Sequence, residues 1–284
     1  IIKNSNISAD VYGVRADGAV ATTSFENTEI TANLPVVVRK MKADSNYTLN
    51  FDATTLNAPG YQVVFTTGND DATFVAPADG TYTLTGADSY LVFPGDDNTF
   101  VYNAAQLQHV LDNVAGDTTI QFAANIEGNV TVPEIANTTI TLDGRGCKYD
   151  GCFHIVGGST YANATTLFKS INFETADASD FAGDAFIYSN EQNGNTRYPD
   201  NVTIQDCTFT ATDAAVEAAV GAKFRSLNGN VIVENSSANG MHSLLQLSSC
   251  GEANVTVDGV EIANCKNGLS LQHSNNVIKN SNIA

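Results

Sequence analysis

Side chains able to do chemistry are few in this sequence, and they are scattered. The four histidines, His109, His154, His242 and His273, fall at unrelated spacings. None has a Ser or Cys placed to complete a nucleophile–base pair. The five cysteines are Cys147, Cys152, Cys207, Cys250 and Cys265. No Cys-x-x-Cys pair occurs, which argues against a zinc or thioredoxin-type site. Cys147 and Cys152 are close enough to close a small disulfide loop, whereas Cys207, Cys250 and Cys265 read as small apolar fillers on strands. An odd number leaves at least one thiol free within a monomer. Asp70-Asp71 and Asp96-Asp97 lie between Gly and Asn and read as solvated turns, with weak calcium binding as the alternative. No glycine-rich phosphate loop is found. The sequence therefore assigns no catalytic residue, no metal ligand and no cofactor.

Composition narrows the partners. Among 284 residues, 13 Lys+Arg stand against 31 Asp+Glu, a formal charge of −18. Nucleic acid or an anionic membrane surface needs clustered cations, so neither is expected as a partner. Charged residues make up only 15% and hydrophobic ones 43%, enough to build a sizeable core. No apolar run reaches the roughly 18 residues of a membrane span. An acidic, Asn- and Thr-rich chain with little Lys suits an extracellular or cell-surface setting. The first residues, Ile1-Ile2-Lys3, carry no Met and no targeting segment, as expected of a mature form or an excised piece.

The elements that would position any site show a repeat. Asn-Val-x-Val/Ile recurs at Asn129-Val130-Thr131-Val132, Asn201-Val202-Thr203-Ile204, Asn230-Val231-Ile232-Val233 and Asn254-Val255-Thr256-Val257, with a relative at Asn276-Val277-Ile278. A second short strand follows at Leu245-Gln246-Leu247, at Leu269-Ser270-Leu271 and, later in its unit, at Ala222-Lys223-Phe224. Short alternating strands punctuated by Asn and Gly at this period are the coils of a parallel β-helix. Each coil buries its inner face only by stacking on its neighbours, and Asn at the turn can bond its counterparts above and below. Strand alternation with Leu and Phe inside turns Lys223, Gln246 and Ser270 outward in one row, and Arg225, Ser248 and Gln272 in the next. These six are the candidate binding residues.

On these coils, residues 100–284 resemble the right-handed parallel β-helix superfamily, the pectate-lyase-like fold, and more narrowly the adhesin-like β-helix proteins of microbial surfaces. The expected class is all-β, a right-handed parallel β-helix with a short capping helix and a small β-rich segment before it. The resemblance implies a non-catalytic adhesin or stalk whose partners are glycans or surface proteins. Its polysaccharide lyases and hydrolases are a second possibility, although the Asn-Thr-Asp, Asp-Asp and Gly-His-Gly signatures of the polygalacturonate hydrolases do not occur. Phage tail spikes or fibres are a third.

The helix is expected at 104–115, between Asn103 as N-cap and Gly116 as stop, with Leu107 and Leu111 on one face. It would cap the β-helix over 99–284. Residues 34–98 read as a small β-rich junction or capping domain, with Val36–Val38, Tyr47–Leu49, Val63–Phe65 and Tyr82–Leu84 as antiparallel strands, or else as irregular coils that end a preceding helix. Residues 1–33 read as the last coils of a preceding unit. Ile2-Lys3-Asn4-Ser5-Asn6-Ile7 is identical to Ile278-Lys279-Asn280-Ser281-Asn282-Ile283. That identity predicts a window on a longer tandem array, in which neighbouring β-helical repeats of the same chain are partners.

Overall fold

Alternating β-branched strands with positive-φ residues between them fold into stacked parallel coils. The computed structural model of the chain describes residues 1–18, 20–40, 46–58, 63–66, 72–75, 80–84, 99–101, 103–122, 124–156, 163–176, 185–189, 201–212, 218–225, 229–248, 250, 253–272 and 274–284. These form a parallel β-solenoid organised in two compact units, residues 1–102 with 122–125, and residues 103–121 with 126–284.

In the second unit each coil contributes one strand to each of three sheets. The first sheet stacks Thr139–Asp143, Thr165–Lys169, Asn201–Gln205, Asn230–Glu234, Ala253–Asp258 and Ser274–Lys279, each parallel to the next. The second stacks Lys148–Asp150, Asn172–Thr175, Thr208–Ala211, Ser237–Asn239, Glu261–Ala263 and Asn282–Ile283. The third stacks Val130–Pro133, Phe153–Val156, Ile187–Ser189, Val220–Arg225, Ser243–Ser248 and Leu269–Leu271.

The expected asparagine ladder is present on the first sheet. Asn230 Nδ2 donates to Asn201 Oδ1 at 2.9 Å, Asn254 Nδ2 to Asn230 Oδ1 at 3.3 Å, and Asn275 Nδ2 to Asn254 Oδ1 at 3.3 Å. Two members differ from the sequence reading. Asn275, not Asn276, continues the ladder, so Val277 pairs with Thr256 and Ile278 with Val257. Asn129-Val130-Thr131-Val132 belongs to the third sheet, where Asn129 Oδ1 accepts from the Cys152 N–H. The pattern Asn-Val-x-Val states only which residues face inward, and any sheet of the solenoid satisfies it.

Inside, like stacks on like. Phe173 lies on Phe209 with centroids 4.6 Å apart and rings 4° from parallel, an offset stack in a dry interior. Ile120, Phe122, Val130, Val132, Ile140, Leu142, Ile204, Val231, Val233, Leu245, Leu247, Val255 and Val257 are buried as the alternation requires. Leu269 and Leu271 are half-buried.

The helix spans Ala104–Asp112 and buries Leu107 and Leu111. Gln108 takes the role of a neighbouring strand: its Oε1 accepts from the Thr131 N–H at 2.7 Å, and its Nε2 donates to the Thr131 carbonyl at 3.1 Å. The backbone of Val130–Pro133 is thereby paired where the helix meets it, which protects a sheet edge. His109 is exposed, as its helical position suggested.

The first unit corrects the antiparallel expectation in part: Tyr47–Leu49 does pair antiparallel with Tyr82–Leu84, but parallel pairing dominates. Leu34–Lys40 pairs parallel with Tyr12–Gly18 and with Val63–Thr66, and Asn46–Asp52 pairs parallel with Val20–Glu26, which pairs parallel with Ile2–Lys3. The coils thus run on past residue 33. Among the described residues, Ala72–Val75 meets Val63–Thr66 and Gly80–Leu84 meets Asn46–Asp52 in antiparallel pairing. Short apolar runs separated by Gly and Asn look the same in a hairpin and in a coil, so the sequence did not separate them.

One corner recurs in both units. Between the first and second strands of most coils, a single residue takes a left-handed backbone: Asn4, Asn27, Ala53, Ser170, Asp206, Asn235, Gly259 and Asn280, with φ from 45° to 64°; the coil at Thr139–Asp150 uses two, Arg145 and Gly146. In many coils the next side chain bonds back to the carbonyl before the bend: Ser5 to Lys3, Thr28 to Glu26, Thr54 to Asp52, Cys207 to Gln205, Ser236 to Glu234 and Ser281 to Lys279, at 2.8–3.2 Å.

Two substitutions test this architecture by denaturant unfolding. Leu247→Ala, at a site 2% exposed, is expected to cost about 2–5 kcal/mol. Ala53→Gly should instead raise stability by about 0.5–1 kcal/mol, because an L-residue with a Cβ is strained at φ 45°.

Candidate functional site

The third sheet of the second unit carries the candidate face. Its register sets Thr131, His154, Tyr188, Lys223, Gln246 and Ser270 in one outward column, with neighbours about 4.8 Å apart. Lys223, Gln246 and Ser270 therefore stand together as the alternation required. Arg225 is paired with Ser248 in the adjacent column. Gln272 follows Leu271, one residue past the last strand, and is exposed. Lys223, Arg225, Gln246 and Ser248 are half-buried and Ser270 is exposed.

Sequence reasoning missed the other half of this column. His154 and Tyr188 stack with centroids 4.6 Å apart and planes 2° from parallel. Tyr188 is 6% exposed, and burial raises the pKa of its hydroxyl, with nearby Cys152 adding to the rise. The coil holding Tyr188 carries Thr165 where later coils carry Asn, with no Asn-Val start, so no repeat marked it. The alternation of Phe153-His154-Ile155 was the one available signal. His242 gains a place too. Its Nδ1 lies 3.1 Å from Gln246 Nε2, and its Nε2 lies 3.4 Å from Asn267 Nδ2, so it orients the Gln246 amide across the face. The column thus grades from a covered aromatic pair through half-buried ammonium and amide groups to an exposed hydroxyl.

In the first unit, a shallow polar hollow of about 410 Å³ follows the left-handed corner, lined by Asn4, Ser5, Asn27, Thr28, Glu29 and Thr55 among others. Its amide ladder is tied by Asn27 Nδ2 donating to Asn4 Oδ1 at 2.9 Å.

The cysteines are structural. All five are free, so the Cys147–Cys152 loop disulfide is not formed; Cys147, Cys152, Cys207 and Cys250 are buried and Cys265 half-buried. Cys152 Sγ donates to Asn129 Oδ1 at 3.0 Å instead. Burial pushes the Cys147 and Cys207 thiols up to about 12, against the opposing pull of Arg145 on the first and of backbone hydrogen bonds on the second. A thiol held in its neutral form is neither nucleophile nor metal ligand. Among the described residues no group of three or more His, Cys, Asp and Glu comes together. Asp70-Asp71, Asp96-Asp97 and His273 lie outside the described residues. No helix among the described residues is long and apolar enough to cross a membrane. No protein family, characterised protein or solved structure matches the chain.

Folded thiols that keep their proton stabilise the fold below the ordinary thiol pKa of 9.0, and that contribution is lost as pH rises from there towards about 12. Stability should therefore fall through this alkaline window by about 1.4 kcal/mol per pH unit for each of these two thiols. Cys207→Ser, which places at this corner the hydroxyl that Ser236 and Ser281 supply at theirs, should remove its share of the slope in urea titrations at pH 8 to 11.

Proposed function

We propose that the chain is a non-catalytic extracellular or cell-surface β-helical protein, an adhesin or stalk of the pectate-lyase-like kind. Its β-solenoid displays the third-sheet column as a glycan- or protein-binding face. The observation that carries this reading is the alignment of Lys223, Gln246 and Ser270 in register on adjacent coils, continued by His154 and Tyr188. Groups repeated at a fixed strand spacing suit an extended, repeating ligand such as a glycan chain or a peptide strand. Gln246 is held in place by His242, so part of the ordering cost is met before binding. Amides and hydroxyls recognise sugar hydroxyls, and Lys223 and Arg225 add two cationic groups to the face of a chain at −18.

Binding of the fluorescent chain to immobilised neutral and acidic glycans and to surface proteins tests the reading. Lys223→Ala/Gln246→Ala should weaken binding at least about tenfold, equivalent to about 1.4 kcal/mol, with an unchanged circular dichroism spectrum. Equal binding by wild type and variant, or no binding to any of them, would overturn it. Release of unsaturated or reducing products from polygalacturonate or alginate would favour the lyase or hydrolase reading, and a trimeric mass the tail-spike one.

A further inference from the structure

The polar hollow of the first unit lies on the flank of the stack, across three coils paired in parallel. Register sets its columns. Asn6, Glu29 and Thr55 align along the second-sheet strands, and the left-handed corners Asn4, Asn27 and Ala53 align beside them. All six are exposed. None of the lining residues is aromatic, and Glu29 is the one charged side chain among them.

The hollow sits where an amide ladder breaks off. In this solenoid the Nδ2 of the later coil donates to the Oδ1 of the earlier, as from Asn27 to Asn4 at 2.9 Å and from Asn264 to Asn239 at 2.8 Å. The next donor in the first unit would come from residue 53, which is Ala. Asn27 Oδ1 therefore accepts no hydrogen bond among the described residues, and the space of a missing amide lies beside it. The neighbouring carboxylate is held in place. Asn57 Nδ2 donates to Glu29 Oε1 at 2.9 Å and to Thr31 Oγ1 at 3.2 Å, which leaves Glu29 Oε2 open. Ser5 gives its hydroxyl proton to the Lys3 carbonyl, so its oxygen only accepts. Acceptors thus gather around the gap, while the Asn4 Nδ2, the Asn6 amide and the Thr55 hydroxyl remain able to donate.

We infer that this hollow is a second binding site, which takes one uncharged sugar residue of a glycan. Its occupant must bring several donors on a short rigid frame and must also accept, which is the chemistry of adjacent ring hydroxyls. Glu29 Oε2 and Asn27 Oδ1 accept from them, and Asn4 Nδ2 and Thr55 donate to them. At about 410 Å³ the hollow falls within the roughly 300–1,000 Å³ of small-molecule sites. Charge sets the class of sugar. Glu29, in a chain at −18, repels a uronate or a sulfated unit, and Lys3 is already paired with Glu26 at 2.6 Å. Little ordering is left to binding, because Asn57 holds Glu29 and Asn27 holds Asn4. The site goes beyond the third-sheet face and shares no residue with it.

Saturation-transfer NMR on the full chain tests this, with cello-, manno-, xylo- and galacto-oligosaccharides and with oligogalacturonate as the acidic control. The Lys223→Ala/Gln246→Ala variant is used, so that the third-sheet face does not contribute. At least one neutral oligosaccharide should bind, and oligogalacturonate should not. Ala53→Asn then supplies the missing amide. Asparagine is at ease at φ 45°, so the fold should hold while the hollow fills, Asn27 Oδ1 is taken up and affinity falls at least about tenfold. Glu29→Gln, which keeps the shape and removes the charge, should weaken binding about fivefold or more. Should Ala53→Asn lose its β-sheet circular dichroism, Glu29→Gln alone decides. Absence of binding by every neutral oligosaccharide, undiminished binding by these variants, preference for oligogalacturonate, or binding abolished by EDTA would overturn the inference. Binding that wild type shows and Lys223→Ala/Gln246→Ala alone abolishes removes only this inference. Binding that survives that variant undiminished and is lost on adding Ala53→Asn supports the hollow and counts against the third-sheet face.

Discussion

Most coils depend on one left-handed residue. An L-residue at positive φ costs about 1–2 kcal/mol, and this solenoid spends that again in successive coils, at Asn4, Asn27, Ala53, Ser170, Asp206, Asn235 and Asn280. The bend is held from two sides. The N–H of the bent residue donates to the carbonyl that ends the first strand of the next coil, as from Asn4 to Glu26, Asn27 to Asp52, Asp206 to Glu234 and Asn235 to Asp258. The side chain after the bend returns to the carbonyl before it. Backbone pairing therefore passes through the corner from the first sheet to the second, and few polar groups are left to be satisfied by other means.

Once the corner is set, packing follows. The same turn in successive coils puts the same strand position over itself, so apolar side chains meet their own kind along the axis. Phe25 stacks on Phe51 at 5.1 Å and Phe173 on Phe209 at 4.6 Å, both within a few degrees of parallel. Cysteine fits this interior as a corner residue. Cys207 does with sulfur what Ser236 and Ser281 do with oxygen, and burial keeps its proton on.

The sequence made the repeat legible wherever a coil spelled out its own start. Asn201, Asn230 and Asn254 were placed on one ladder, and Lys223, Gln246 and Ser270 in one column, because alternation and period together leave little freedom. The reading faltered where local pattern does not encode the neighbour. Asn129 carries the same tetrapeptide signal on another sheet. Val36–Val38 looked like a hairpin strand, although its partners lie a whole coil away on each side. Tyr188 was hidden because its coil starts on threonine and its strand is only Ile187–Ser189. The left-handed corner was itself overlooked: Asn, Asp, Ser, Ala and Gly all occupy it, and only the backbone shows that they share a task.

The corner also governs where the chain can change length. From the last inward residue of the first strand to the opening of the second there are four positions in most coils: Phe25 to Glu29, Phe51 to Thr55, Phe168 to Asn172, Ile204 to Thr208, Val233 to Ser237 and Val257 to Glu261; the coil from Leu142 to Lys148 takes six. The full turn nevertheless varies, from Thr165 to Asn201 in one coil and from Asn254 to Asn275 in another. In these two coils all of that variation is taken up at the other two bends. Evolution has, in effect, one nearly closed hinge and two open margins to write in. New segments can be grafted at either margin without disturbing the axis, and surface variety can accumulate there while the spine stays the same.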